Sequence, residues 1–139
     1  MLTPKKVKFR KWQTLRRNPA RVTPDTRGTA VSFGSHGLKA MTAGRVRSNQ
    51  LESARKAISR QMEKTGRMWC RIFPDMPFTQ KPAEVKMGSG KGDVQGYQTQ
   101  VWAGRILFEV DGLDDVAATI ALRKGGAKLP IKTKIVKRS

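Results

Sequence analysis

The segment Met87-Gly88-Ser89-Gly90-Lys91-Gly92, with Lys86 just before it, is the stretch whose residue types and spacing come nearest to a phosphate-binding loop. A Walker loop needs a glycine separated by four residues from Gly-Lys, and then Ser or Thr. Position 85 is Val and position 92 is Gly, so that motif fails. The dinucleotide fingerprint fails too, because the spacing is G-x-G-x-G and no clear βαβ unit follows. What remains is a loop of open backbone N–H groups between two lysines. Glycine has no side chain to hold a nucleic-acid backbone off, so such a loop can lie close against one. An ordinary hairpin connection has the same composition, and spacing does not separate the two.

Bond-breaking chemistry finds little material. His36 stands alone between Gly34 and Gly37 in an expected turn, where it reads as a surface or RNA-contacting residue rather than a general base. Cys70 alternates with Trp69 and Ile72 in an apolar run and reads as a small buried hydrophobe. One Cys and one His cannot supply four soft ligands to a metal. Glu109, Asp111, Asp114 and Asp115 form the one acidic cluster. They could hold Mg²⁺ for a nuclease or transferase, but helix N-terminal charge accounts for two of them. The reading is a protein without metal or cofactor, and not an enzyme.

The charge balance is more telling. Against 10 Asp and Glu stand 29 Lys and Arg, a net charge of +19 over 139 residues. Like charges at this density repel one another in a compact chain unless a polyanion neutralises them. Nucleic acid does this, because each cation placed on a phosphate releases condensed counterions. No apolar run approaches the roughly 18 residues that span a bilayer. The basic start has no apolar stretch behind it, and residues 1–27 contain no serine, which speaks against a secretory signal or a transit peptide. With the start at Met1, this makes an imported precursor unexpected. A single cysteine fits a reducing compartment.

These groups need elements to position them. Residues 1–27 carry nine basic residues (Lys5, Lys6, Lys8, Arg10, Lys11, Arg16, Arg17, Arg21 and Arg27) and three prolines, and read as a basic arm. Phe9, Trp12 and Leu15 lie three apart, as in one anchoring helical turn. Residues 28–139 read as a single globular domain. Strands are expected at 29–33 and 38–42, then a helix at 49–65 capped by Asn49 with Glu52 as its box partner and stopped by Gly66. Leu51, Ala54, Ala57, Ile58, Gln61 and Met62 form its inner stripe, and Arg55, Lys56, Arg60 and Lys64 its basic front. A buried strand is expected at 68–73, a proline loop at 74–82 and a short strand at 83–87. Strands 98–103 and 105–111 read as a hairpin turning at Gly104. A second helix is expected at 113–124, its inner face Val116, Ala117, Ile120 and Ala121, with Asp114 and Asp115 at its start and Arg123 and Lys124 at its end. A last strand is expected at 131–136. The order implies α+β, with two helices on one face of a mostly antiparallel sheet. The arm, the helix front (Arg55, Lys56, Arg60) and the C-terminal Lys132, Lys134, Lys137 and Arg138 would join as one RNA footprint.

Six blocks carry a resemblance: MLTPKKVKFRKW at 1–12, VSFGSHGLKA at 31–40, QLESARKAISR at 50–60, RIFPDMPFTQKPAEVKMGSGKG at 71–92, AGRILFEVDG at 103–112 and KLPIKTKIV at 128–136. In this order they resemble the bacterial-type large-subunit ribosomal protein L-sixteen family. The resemblance implies an α+β fold of the hammerhead type. It implies a structural constituent of the large subunit that binds its rRNA near the central protuberance and borders the A-site and P-site tRNA path. The partners would be rRNA, tRNA and neighbouring ribosomal proteins, with one copy per ribosome and no membrane. The location would be cytoplasmic and ribosome-bound, with an organelle ribosome left open. On this match Lys5, Lys6, Lys8, Arg10, Lys11, Arg55, Lys56, Arg60, Lys132 and Lys134 would bind rRNA. The loop of Lys86, Met87, Gly88, Ser89, Gly90, Lys91 and Gly92 would face the functional centre, with Lys86, Ser89 and Lys91 nearest tRNA or peptidyl-transferase RNA. Three departures stand out. Lys86 replaces the usual arginine and lacks its planar fork. Gly125-Gly126 replaces helix-continuing alanine and should end the second helix early. Segment 13–27 matches poorly. A free RNA-binding regulator or chaperone would carry the same basic faces.

Overall fold

The regular elements begin at β1, His36–Ala40, and the computed structural model describes residues 1–14 and 23–139. Then follow β2 (Gly44–Arg47), α1 (Ser48–Met62), β3 (Arg67–Cys70), β4 (Met76–Gln80), β5 (Asp93–Val101), β6 (Ile106–Asp111), α2 (Asp115–Gly126) and β7 (Thr133–Lys137). The strands form two sheets, β3-β6-β1-β7 and β2-β5-β4, and every pair of these strands is antiparallel. This is the expected α+β class, built on two sheets rather than one.

Leu38 of β1 and Phe108 and Val110 of β6 face the helices and are buried with Leu51, Ala54, Ile58 and Met62 of α1. Ala118, Ala121 and Leu122 of α2 complete the layer, and Val46 and Val101 bring the second sheet into the same core. The inner face of α2 is therefore rotated from the expected one: Val116 and Ile120 are exposed. The cause is the neighbouring helix. A Cβ on Gly125 would stand 2.5 Å from Ile58 Cγ1, and one on Gly126 would stand 2.6 Å from Thr133 Oγ1. The glycines face inward and let α2 approach α1 and β7 closely, so the helix runs through both instead of ending before them. Gly125→Ala should destabilise the fold by about 1–2 kcal/mol, because overpacking a buried contact outweighs the ~1 kcal/mol gain in helix propensity. Urea unfolding checks this; a midpoint at or above that of the parent would contradict it.

Residues 29–33 form no strand. Glu109 takes over their backbone donors. Its side chain is fully buried, and its carboxylate accepts from the Ser32 N–H at 2.7 Å and the Phe33 N–H at 2.8 Å. Arg71 Nη1 donates to the same carboxylate at 3.1 Å and to the Ala30 carbonyl at 3.1 Å. The chain is thus hooked over β6 instead of pairing with it. His36, expected in a turn, opens β1 and is buried.

The expected hairpin at Gly104 does not form, because β5 and β6 belong to different sheets. Residues 76–80, expected as loop, are an edge strand in which Pro77 pairs with Tyr97. Residues 83–87, expected as strand, have none and lie in the connection from β4 to β5. At the start of α1, Gln50 takes the place expected of Glu52: its Oε1 accepts the Arg47 N–H at 2.9 Å. Asn49 lies inside the first turn rather than at the cap. The helix ends at Met62, before Gly66. Phe9 and Trp12 lie in exposed, irregular chain with bends between them and not in a helical turn; Leu15, Arg16, Arg17 and Arg21 lie outside the described residues.

Candidate nucleic-acid interface

The arm and the glycine loop, far apart in sequence, meet in space. At its start the arm lies beside α1, with the N-terminal ammonium 4.0 Å from Glu52. By residue 11 it has reached the loop. Lys11 Nζ donates to the Lys91 carbonyl at 3.3 Å, and Lys91 Nζ donates back to the Trp12 carbonyl. Lys5, Lys6, Lys8 and Arg10 between these anchors are exposed. The loop spans residues 81–92 and joins the antiparallel strands β4 and β5, so it is the tip of a long hairpin. Gly88 and Gly90 both hold φ at +101°, and a Cβ on either would meet nothing within 4 Å. Backbone conformation, not crowding, requires glycine at these two places. Lys81 Nζ donates across the loop to the Gly88 carbonyl. Lys86, Met87, Ser89 and Lys91 are exposed, Met87 at 96%.

The front of α1 is partly self-neutralised. Arg55 makes two hydrogen bonds to Glu52, at 3.1 and 2.5 Å, and these hold the Glu52 carboxyl below its ordinary pKa. Arg60 is left to line a groove of about 320 Å³ between the helices, with Ala57, Gln61, Lys124, Ala127 and Lys128. Lys124 Nζ donates to Gln61 Oε1 at 2.7 Å, which holds one wall. Lys56 is exposed beside it. Lys132 lies on the adjoining groove between α2 and β7, which also contains Arg123. Lys134 does not join them. It pairs across strands with Lys39, so both point away from the face that carries Leu38 and Ile135. Like charges directly opposite one another are unfavourable until an anion sits between them. The expected cations therefore do not form one group: the arm reaches from Glu52 to the loop, Arg60 and Lys132 line grooves beside α2, and the Lys39–Lys134 pair lies on the sheet face away from Leu38. The contributions of Lys39 and Lys128 escaped the sequence reading. The first follows from strand register, the second from the basic end of α2 continued one turn onward.

The groups weighed for catalysis are occupied structurally. The His36 imidazole lies 3.0 Å from Asp115 Oδ1 and 2.9 Å from Ser35 Oγ. The Lys137 ammonium, and after it His36, hold the Asp115 carboxyl below its ordinary pKa. Asp114 caps α2 by accepting the Ala117 N–H at 2.9 Å, and Glu109 is buried in its own ion pair. The acidic residues thus do not converge, and no group of side chains among the described residues is arranged to hold a metal ion. Burial pushes the Cys70 thiol above its ordinary pKa, away from the reactive thiolate. What the exposed groups can do chemically is neutralise phosphates and present an open backbone loop to a folded polyanion.

Residues 4–136 match the family model of the ribosomal protein L16p/L10e. The chain belongs to that family. A large ribosomal subunit protein uL16 of Caulobacter vibrioides is 52% identical over 139 residues, covering 99% of this chain and 94% of the relative. One from Acidiphilium cryptum is 51% identical over the same number of residues, covering 97% of the relative, and one from a Chelativorans species is 50% identical over 138. Family membership bears out the reading of a structural ribosomal component rather than an enzyme, and the blocks that carried the resemblance lie almost wholly within the matched span.

Proposed function

We propose that this chain is a structural constituent of the large ribosomal subunit that clamps folded rRNA near the central protuberance and borders the tRNA path. The observation that carries the reading is the family match over residues 4–136 of a chain with net charge +19. In this reading Lys5, Lys6, Lys8, Arg10 and Lys11 of the arm, Arg55, Lys56 and Arg60 of α1, and Lys132 and Lys134 beside and within β7 meet rRNA phosphates. The arm of residues 1–27 wraps RNA, and the domain of residues 28–139 supplies the shape it wraps against. Double-helical RNA is recognised mostly by shape and phosphate, which suits cations spread over several elements. Lys86, Met87, Gly88, Ser89, Gly90, Lys91 and Gly92 project toward tRNA or the RNA beside it. The exposed loop and its tie to Lys11 and Trp12 support this, because a loop anchored at its base reaches outward as a unit. Neighbouring ribosomal proteins complete the surroundings.

Sedimentation through a sucrose gradient tests the reading. The protein should remain with the large subunit after a high-salt wash. Release into the light fractions would favour a free RNA-binding regulator instead.

A further inference from the structure

The face of the four-stranded sheet away from the helices carries an aromatic pair that none of the basic groups includes. Trp69 and Glu109 are cross-strand partners on that face. The hooked segment lays Phe33 over Trp69, with ring centroids 6.1 Å apart and planes 24° from parallel. Phe33 as a whole residue remains 56% exposed. The Arg71 guanidinium lies over it, 5.2 Å from the centroid. Beside the pair runs a groove of about 440 Å³, lined by Phe33, Gly66, Arg67, Trp69, Asp111 and Gly112.

We propose that Phe33, seated on Trp69 and flanked by Arg67 and Arg71, is a platform on which one unpaired base of the large-subunit RNA stacks. The proposal rests on the rRNA-binding reading and adds a site to it. An exposed phenylalanine ring is ordinarily drawn against its own core. Here the Glu109 carboxylate grips the backbone N–H groups of Ser32 and Phe33 and fixes the ring in place with one flank open. A preset ring costs little to order when a ligand arrives. Unpaired RNA bases are recognised by stacking on aromatic rings and on arginine planes, and this pair offers both. The charges around the groove sort the ligand. Arg67 attracts the backbone, while the Asp111 carboxylate repels phosphate and accepts the N–H edge of a base. Arg71 is already neutralised by Glu109 and serves as a planar edge to the stack rather than as a free charge.

The test compares large subunits carrying the parent protein, Phe33→Leu or Phe33→Tyr, probed with reagents that modify unpaired bases. Leucine keeps apolar volume but has no π face, and the exposed position tolerates it. One nucleotide protected by the parent and by Phe33→Tyr should become reactive with Phe33→Leu, by about tenfold, while the rest of the footprint persists. An unchanged footprint in Phe33→Leu would overturn the platform and leave the rRNA-binding reading intact. A parent protein that protects no RNA anywhere would overturn both. A photo-crosslinking residue placed at position 33 should capture RNA; capture only of a neighbouring protein would also sink the platform.

Discussion

Replacing Glu109 by alanine should cost about 3–5 kcal/mol of stability, the range for removing one partner of a buried ion pair. Three donors lose their acceptor together: the Ser32 N–H, the Phe33 N–H and Arg71 Nη1. The glutamate side chain is fully buried, and that of Arg71 is 20% exposed. Water therefore cannot readily replace the carboxylate, and the arginine is left partly buried without its partner. Against the ~5–15 kcal/mol that keeps an ordinary domain folded, this is a large fraction. Glu109→Gln should fall between. The amide oxygen still accepts one N–H, but the amide NH₂ turns a donor toward donors. Urea unfolding of the isolated proteins is the measurement. A midpoint shift equivalent to under ~1 kcal/mol for the alanine variant would show that this ion pair is roughly neutral, as some buried pairs are. Hydrogen exchange should also rise at Ser32 and Phe33 first, since the carboxylate accepts both of their N–H groups.

That carboxylate also shows where reading the sequence stops. Residues 29–33 have strand composition, but what decides their path is an acid far along the chain whose burial no local pattern reveals. The same holds for β4. Three prolines in 74–82 read as loop, yet Pro77 occupies an edge strand, the place in a sheet where a missing N–H is tolerated. Strands β5 and β6 have hairpin spacing about Gly104, and only long-range pairing sends them to separate sheets. In α2 the larger apolar residues, Val116 and Ile120, mark the wrong face. The helix buries Leu122 together with small residues (Ala118, Ala121 and Gly125), and the small ones let α1 come close. The legible parts are those governed by local physics: the stripe of α1, the acidic start and basic end of α2, the apolar run of β6 and the cationic composition of the arm. The candidate site was legible as composition, since charge on an exposed element needs no fold to be noticed. The meeting of arm and loop through Lys11, Trp12 and Lys91 was not, because two carbonyls and two ammonium groups leave no signature in residue spacing.

Neutralising the arm should produce the largest change in RNA binding. A variant with Lys5, Lys6, Lys8, Arg10 and Lys11 all changed to Gln removes five positive charges of the net +19 without touching the buried core. If each contacts one phosphate, the slope of log affinity against log salt should become shallower by about 3.5–4.5, the single-strand and duplex limits at ~0.7–0.9 per contact. Between ~50 and 200 mM salt the parent should then lose about 10²–10³ more affinity than the variant. The sign is informative. The variant binds more weakly at low salt, and the two curves converge as salt rises, because the missing term is counterion release. Titration of large-subunit RNA fragments at several salt concentrations measures it. Lys11→Gln alone should also free the loop, because its ammonium no longer reaches the Lys91 carbonyl, and exchange at Lys91 and Gly92 should quicken. A five-residue variant with the parent's salt slope would mean that the arm cations stay in water when RNA is bound, and the footprint would have to lie on the loop, α1, α2, Lys132 and the Lys39–Lys134 pair.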